Sequence, residues 1–154
     1  MEQENASRLR KIVERVSIFR RMTLWEADAI LKVCVFKTFP KGELIYQEGR
    51  PSDEMLILLQ GKLVATADSG TTLGTIVPGT TTGEMGLLTN SPRSANVVAG
   101  DRSSGFVLKK ADLERLFEQN ERLKIKVYEN LVSVLCNRLQ DANVKIDMHA
   151  ATVY

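Results

Sequence analysis

Apolar residues keep one spacing at the two ends of the chain and another in its middle. Near the start, Leu9, Ile12, Val13 and Val16 recur at helical intervals while Arg8, Arg10, Lys11 and Glu14 turn outward, which predicts an amphipathic helix capped by Asn5 or Ser7. Thr23-Leu24-Trp25-Glu26 reads as a capping box, and the helix it opens carries Ala27, Ile30, Leu31 and Cys34 on one face. Phe19 and Trp25 are expected to plug the core beside this helical preface. From Phe36 the pattern shortens to that of strands over 36–39, 43–47, 55–59, 62–67, 72–77, 94–99 and 106–108, with turns at Pro40-Lys41-Gly42, Glu48 to Asp53, Gln60-Gly61, Asp68-Ser69-Gly70 and Pro78-Gly79. A polar linker, Gly100 to Gly105, precedes the last strand. Helical spacing then returns with Leu113, Leu116 and Phe117, after which Asn120 caps a long helix from about Glu121 to about Ile146.

Turns every eight to twelve residues or so suit a β-sandwich or small barrel. The predicted organisation is one domain over 1–154: N-terminal helices over 1–35, a barrel over 36–110 and C-terminal helices over 111–146. A chain of 154 residues, 44% hydrophobic and 26% charged, is long enough to bury one core. Its formal charge of +2 is far from the footprint of a protein that grips nucleic acid through many phosphates, yet it leaves a small anion possible. Cys34 and Cys136 both fall in apolar helical patterns and read as reduced core thiols in a cytosolic protein, with no metal-ligand spacing. No apolar run reaches the length of a membrane span, and the N-terminus is acidic and polar.

One long irregular excursion interrupts the strands, from Thr82 to Val98. Gly83 and Gly86 flank an acid in a segment too short for a full-length helix, so the backbone can approach a ligand closely and offer it amide N–H groups. Seven residues on, Arg93 supplies a planar guanidinium able to grip two phosphate oxygens. Alone, Glu84 is more often a first-turn acid and Arg93 a solvated surface residue. Together, a phosphate site with a carboxylate beside it suits a nucleotide, because a sugar hydroxyl can donate to that carboxylate.

The run Gly83-Glu84-Met85-Gly86-Leu87-Leu88, followed by Ser91-Pro92-Arg93-Ser94-Ala95, resembles the phosphate-binding cassette (82–95) of cyclic nucleotide-binding domains. The resemblance extends over the order of the barrel strands, with Gly42, Gly49 and Gly61 at turns. It implies a mainly β fold, a double-stranded β-helix or jelly-roll-like barrel with N-terminal helices and a long C-terminal helix. It also implies that Glu84 accepts the ribose 2′-hydroxyl, that Arg93 and the N–H groups near Gly86 and Leu87 bind the cyclic phosphate, and that Ser94 adds a hydroxyl. The base would lean on Leu63 and Val64. Matching Arg138-Leu139-Gln140 to the corresponding element of catabolite activator-like proteins puts Ala142 and Asn143 at the adenine. Ala142 departs from the polar pattern there, while Asn143 can pair with adenine's edge.

The expected function is a cytoplasmic cyclic-nucleotide receptor module, for cAMP ahead of cGMP, that signals by moving its terminal helices against a protein effector. The alternative is a ligand-silent barrel serving as a protein–protein interaction module. No cofactor, metal or catalytic set is expected: there is one His, His149 in a tail predicted to be ragged, no H-E-x-x-H and no P-loop lysine. Too few residues follow Ile146 for a helix-turn-helix, so direct DNA binding is not expected. The long helix has an apolar face too wide for the barrel alone, with Leu123, Val127, Leu131, Leu135 and Leu139 in one stripe and Tyr128, Val132, Val134 and Ala142 beside it. A second copy of the same helix, giving a homodimer, or the chain's own N-terminal helices would cover the excess.

Overall fold

Two four-stranded antiparallel sheets face each other, and helices close the outer face of one of them. The computed structural model describes residues 1–153. Helix α1 (Glu2–Arg15) leads through a 3₁₀ turn (Ser17–Phe19) into α2 (Leu24–Val33). Eight strands follow: β1 (Val35–Phe39), β2 (Leu44–Tyr46), β3 (Glu54–Gln60), β4 (Leu63–Thr66), β5 (Thr72–Ile76), β6 (Thr81–Thr82), β7 (Asn96–Ala99) and β8 (Ser103–Lys109). A short helix α3 (Glu84–Thr89) stands between β6 and β7, and α4 (Lys110–Gln119) and α5 (Glu121–Val153) end the chain. The sheet orders are β1-β8-β3-β6 and β2-β7-β4-β5, the jelly-roll-like barrel expected from the resemblance.

Strand β3 is apolar from Met55 to Leu59 because both of its faces are covered there. Leu56 and Leu58 point between the sheets, where they meet Tyr46, Leu63, Val97 and Val107. Met55 and Ile57 point the other way, into a core shared with Ile18, Phe19, Ile30, Leu113, Leu123 and Leu131 of the helices. Strand β8 does the same, Val107 facing inward and Leu108 outward. The Thr23 capping box forms in both directions, and Asn120 Oδ1 accepts from the Leu123 N–H (3.1 Å) at the start of α5.

Several expectations are corrected. Helix α1 starts at Glu2, ahead of Asn5 and Ser7, and no side chain caps it. Phe19 is buried as expected, but Trp25 is 84% exposed, because Ala27 and Ile30 take the core face of α2 and Trp25 lies on its far side. Cys34 is only half-buried; its thiol donates to the Ile30 carbonyl (3.2 Å), and burial, with Asp112 adding to it, pushes its pKa up to about 12. Cys136 is exposed, because Leu131 and Val134 hold the inward side of α5 at that level. Ser103, Ser104 and Gly105, read as linker, belong to β8 and pair with Phe39, Thr38 and Lys37. Gly105 is required there: a Cβ would collide with the Ile57 carbonyl of the adjacent strand.

The tail read as ragged is helix. No Gly or Pro follows Gly105, so nothing stops α5, and His149 lies exposed on its surface. Over 33 residues the helix spans about 50 Å and outruns the barrel. Of its predicted stripe, Leu123, Val127 and Leu131 are buried, Leu135 is half-buried and Leu139 is 63% exposed. The N-terminal segment does engage the first half of α5: Asn130 Nδ2 donates to the carbonyls of Ile18 (2.7 Å) and Arg20 (2.8 Å), and Lys126 pairs with Glu26 (2.8 Å). Ile125, Val132, Leu139 and Ile146 stay uncovered.

Candidate functional site

The excursion after β6 is built on one backbone position that only glycine fills easily. Gly83 precedes α3 with φ of +85°, and a Cβ on it would come within 2.5 Å of Arg93 Nη1 and 3.0 Å of the Glu54 carbonyl. Gly86 packs so tightly on Ser52 that any side chain would displace it, and the Ser52 hydroxyl reaches toward the Gly83 carbonyl (3.4 Å). At its other end α3 stops on Asn90, which adopts the left-handed conformation. Lys110, at the start of α4, donates to the Gly86 carbonyl (3.2 Å) and to Asn90 Oδ1, tying the excursion to the C-terminal helices.

Arg93 is held at both backbone and side chain. Its N–H donates to the Arg50 carbonyl (2.8 Å) and its own carbonyl accepts from the Gly49 N–H (2.9 Å), which clamps it to the turn after β2. Its guanidinium lies 3.6 Å from the centre of the Tyr46 ring, and Nη1 donates to the Glu54 carbonyl (2.8 Å). Arg93 is only 8% exposed, yet among the described residues no carboxylate pairs with it. Burial, with Glu54 adding to it, holds the Tyr46 phenol well above its ordinary range, so Tyr46 stays neutral beneath the cation.

Glu84 is the opposite case. It is 1% exposed and ion-paired with Arg138 of α5, which also donates to the Thr81 carbonyl. The Thr81 hydroxyl lies 3.5 Å from the second carboxylate oxygen. Burial raises the Glu84 pKa, and Arg138 and Thr81 offset only part of that rise.

A hollow of about 100 Å³ borders Tyr46, Gly83, Glu84, Met85, Arg93 and Ser94. A second, of about 280 Å³, lies between the barrel residues Leu73 and Thr75 and the α5 residues Arg138, Asp141, Ala142 and Lys145. Both border Ala65, Met85, Ser94 and Ala95. The structure thus brings Gly83, Glu84, Met85, Arg93 and Ser94 together, with the Ser94 hydroxyl 3.4 Å from Met85 Sδ. Gly86 is buried behind them, and the Leu87 side chain belongs to the helix-side core. Leu63 is buried between the sheets and Val64 is half-buried; neither borders the two hollows, whereas Ala65 borders both. Ala142 lines the second hollow, but Asn143 is exposed and lines neither.

Sequence reasoning missed Tyr46, Glu54 and Arg138 as site residues. Arg138 heads the Arg-Leu-Gln element used to set the helix register, so its place was available; Tyr46 and Glu54 reach the site only through the folding of β2 and β3. No group of three or more His, Cys, Asp or Glu among the described residues could hold a metal ion. No helix among them is long and apolar enough to cross a membrane.

The family described as the cyclic nucleotide-binding domain matches residues 36–120, more than half of the chain. A glutaminase of Bradyrhizobium diazoefficiens, Glutaminase 1, is 34% identical over 120 residues, which is 78% of this chain but 19% of that protein. The cyclic AMP receptor protein of Thermus thermophilus is 30% identical over 135 residues, 85% of this chain and 61% of that one. The chain therefore spans about a fifth of the first relative and under two thirds of the second. A crystal structure of a cyclic nucleotide-binding domain from Methylobacillus flagellatus superposes with a TM-score of 0.79 at 26% identity, covering 88% of this chain and 79% of that one.

Proposed function

Because the chain belongs to the cyclic nucleotide-binding domain family, a regulatory fold, we propose that it is a cytoplasmic cAMP receptor module that signals through α5 and does not itself catalyse a reaction. The observation that carries this reading is Arg93. A buried cation without an anionic partner is costly, and evolution of a stable fold would replace it with an apolar side chain unless a ligand supplied the charge. One guanidinium balances the single charge of a cyclic phosphodiester. The Thermus relative is named a receptor for cyclic AMP, which supports the choice of ligand.

In this reading the phosphate meets Arg93 and the N–H groups at the start of α3, with Ser94 adding its hydroxyl. The ribose 2′-hydroxyl donates to Glu84. The base lies toward the second hollow, once the flexible Met85 side chain turns aside. Leu63, on the same face of β4 as Ala65, then backs the base only through Ala65, while Val64 lies on the opposite face of the strand, and Asn143 reaches the base only if α5 shifts or a second copy presents it. Since Glu84 already holds Arg138, a sugar that takes a share of Glu84 changes the hold on α5. Binding energy at the cassette is thereby converted into a change of helix position, available to a protein effector.

The same helix supports a homodimer. Ile125, Val132, Leu139 and Ile146 recur every seven residues on its uncovered side, with Leu135 and Ala142 between them, the spacing of a two-stranded coiled coil. The test of the function is titration of the protein with cAMP and cGMP by calorimetry. Saturable binding of cAMP, tighter than that of cGMP, is expected; no heat with either nucleotide would leave the ligand-silent interaction module as the reading.

A further inference from the structure

The support beneath Arg93 is unusual for a buried cation. The guanidinium lies over the Tyr46 ring, 3.6 Å to its centre, and beside the backbone of Gly83, where even a methyl group would come within 2.5 Å of Nη1 and 3.3 Å of the ring edge. Glu54 offers Nη1 a carbonyl at 2.8 Å and not its carboxylate. Tyr46 is itself buried, and it meets the guanidinium with the face of its ring. A ring face attracts a cation without neutralising its charge, whereas a carboxylate would do both and would compete with an incoming phosphate.

We propose that Tyr46 is a positioning residue for phosphate recognition: its ring and the bare backbone of Gly83 hold the Arg93 guanidinium in one plane, so that the N–H groups not given to Glu54 face the hollow as a preformed two-pronged donor. The proposal rests on the cassette being a cyclic-nucleotide site and adds to it how the arginine is kept charged, dry and oriented before the ligand arrives. Preorganisation of this kind favours binding by removing the cost of ordering a long side chain. Gly83 enters for the same reason as Tyr46, since any side chain there would push the guanidinium off the ring.

The test uses two variants of the whole chain. Tyr46→Phe keeps the ring and should bind cAMP within about three-fold of the parent, whereas Tyr46→Leu should lose about ten-fold to thirty-fold. Should Tyr46→Leu fail to fold, as judged by its melting transition, Tyr46→Met replaces it. The second measurement compares the two phosphorothioate diastereomers of cAMP, in which sulfur replaces one or the other exocyclic phosphate oxygen. A fixed guanidinium discriminates between them, so the ratio of their dissociation constants should shrink in Tyr46→Leu and persist in Tyr46→Phe. Parent-like binding by Tyr46→Leu, or a loss that leaves the diastereomer ratio untouched, overturns the positioning role alone. A parent that binds neither cyclic nucleotide overturns that role and the receptor reading together.

Discussion

Glu84 and Arg93 sit on opposite sides of one glycine-led turn, both nearly dry, and they are satisfied in different currencies. Glu84 has a full ionic partner in Arg138, a donor in Thr81 and a pKa that burial still raises. Arg93 has a ring face and one carbonyl. The acid is thus occupied by the protein's own helix, while the base is held ready but not neutralised. A site arranged this way can exchange a protein partner for a ligand at one charge and gain a ligand where none stood at the other.

The contrast breaks most completely if Arg93 is removed. Arg93→Ala should weaken cAMP binding by about 2–5 kcal/mol, roughly thirty-fold to several-thousand-fold, with little loss of melting temperature because no ion pair is broken. Arg93→Lys should fall between, keeping the charge but losing the planar fork. Parent-like affinity together with a large drop in melting temperature would make Arg93 a structural arginine.

Removing Arg138 tests the other side. Arg138→Ala should destabilise the ligand-free protein by about 2 kcal/mol, less than the ~3–5 kcal/mol of a fully buried pair because Arg138 is 39% exposed. The loss should grow with pH. A folded-state pKa raised above the ordinary 4.5 means the folded protein holds the Glu84 proton more tightly than the unfolded chain does. That contribution is complete below about pH 4.5 and fades as pH climbs through the raised value. Without Arg138 the raised value moves higher still, so thermal melts from pH 4.5 to 8 should show the variant diverging from the parent as pH increases. Parallel curves would mean that Arg138 does not govern the Glu84 charge.

A smaller effect is expected when the acid is made neutral in place. Glu84→Gln should weaken cAMP about ten-fold while leaving 2′-deoxy-cAMP almost unchanged, since a charged acceptor of a hydroxyl is worth more than a neutral one. An equal loss for both ligands would separate Glu84 from the sugar. The seam along α5 can be probed beside these. Val132→Glu with Leu139→Glu should give a monomer by light scattering without unfolding the chain, because both side chains are already exposed within it. A monomeric parent would remove the dimer.

The choice of residues for that last pair shows what the sequence could and could not tell. Leu131 and Leu135 look as suitable as Val132 and Leu139 for breaking a dimer when only spacing is known. In the fold, Leu131 is buried against the chain's own turn, so charging it would unfold the protein and answer a different question. Local features were readable because their causes are local: the Thr23 box, the turn glycines Gly42, Gly49 and Gly61, and the cassette run. Trp25 and Cys136 were misplaced because an apolar side chain at helical spacing does not say which neighbour arrives first. Tyr46 and Glu54 became site residues only through contacts between segments distant in sequence, to which no pattern along the chain corresponds, whereas Arg138 stood in the Arg-Leu-Gln element and only its pairing with Glu84 waited on the fold.

The two-faced strands β3 and β8 bear on how this molecule melts. Met55 and Leu56 are neighbours in sequence but belong to different cores, and so are Val107 and Leu108. Neither core can open without stripping one face of a strand that the other core needs, so barrel and helices should unfold as a single cooperative unit. The slowest-exchanging amides should then lie in β3 and β8, and protection there should rise together with that of α5 when ligand binds. A cassette on the barrel and a helix that projects beyond it would in this way share one stability, although no covalent cross-link joins them.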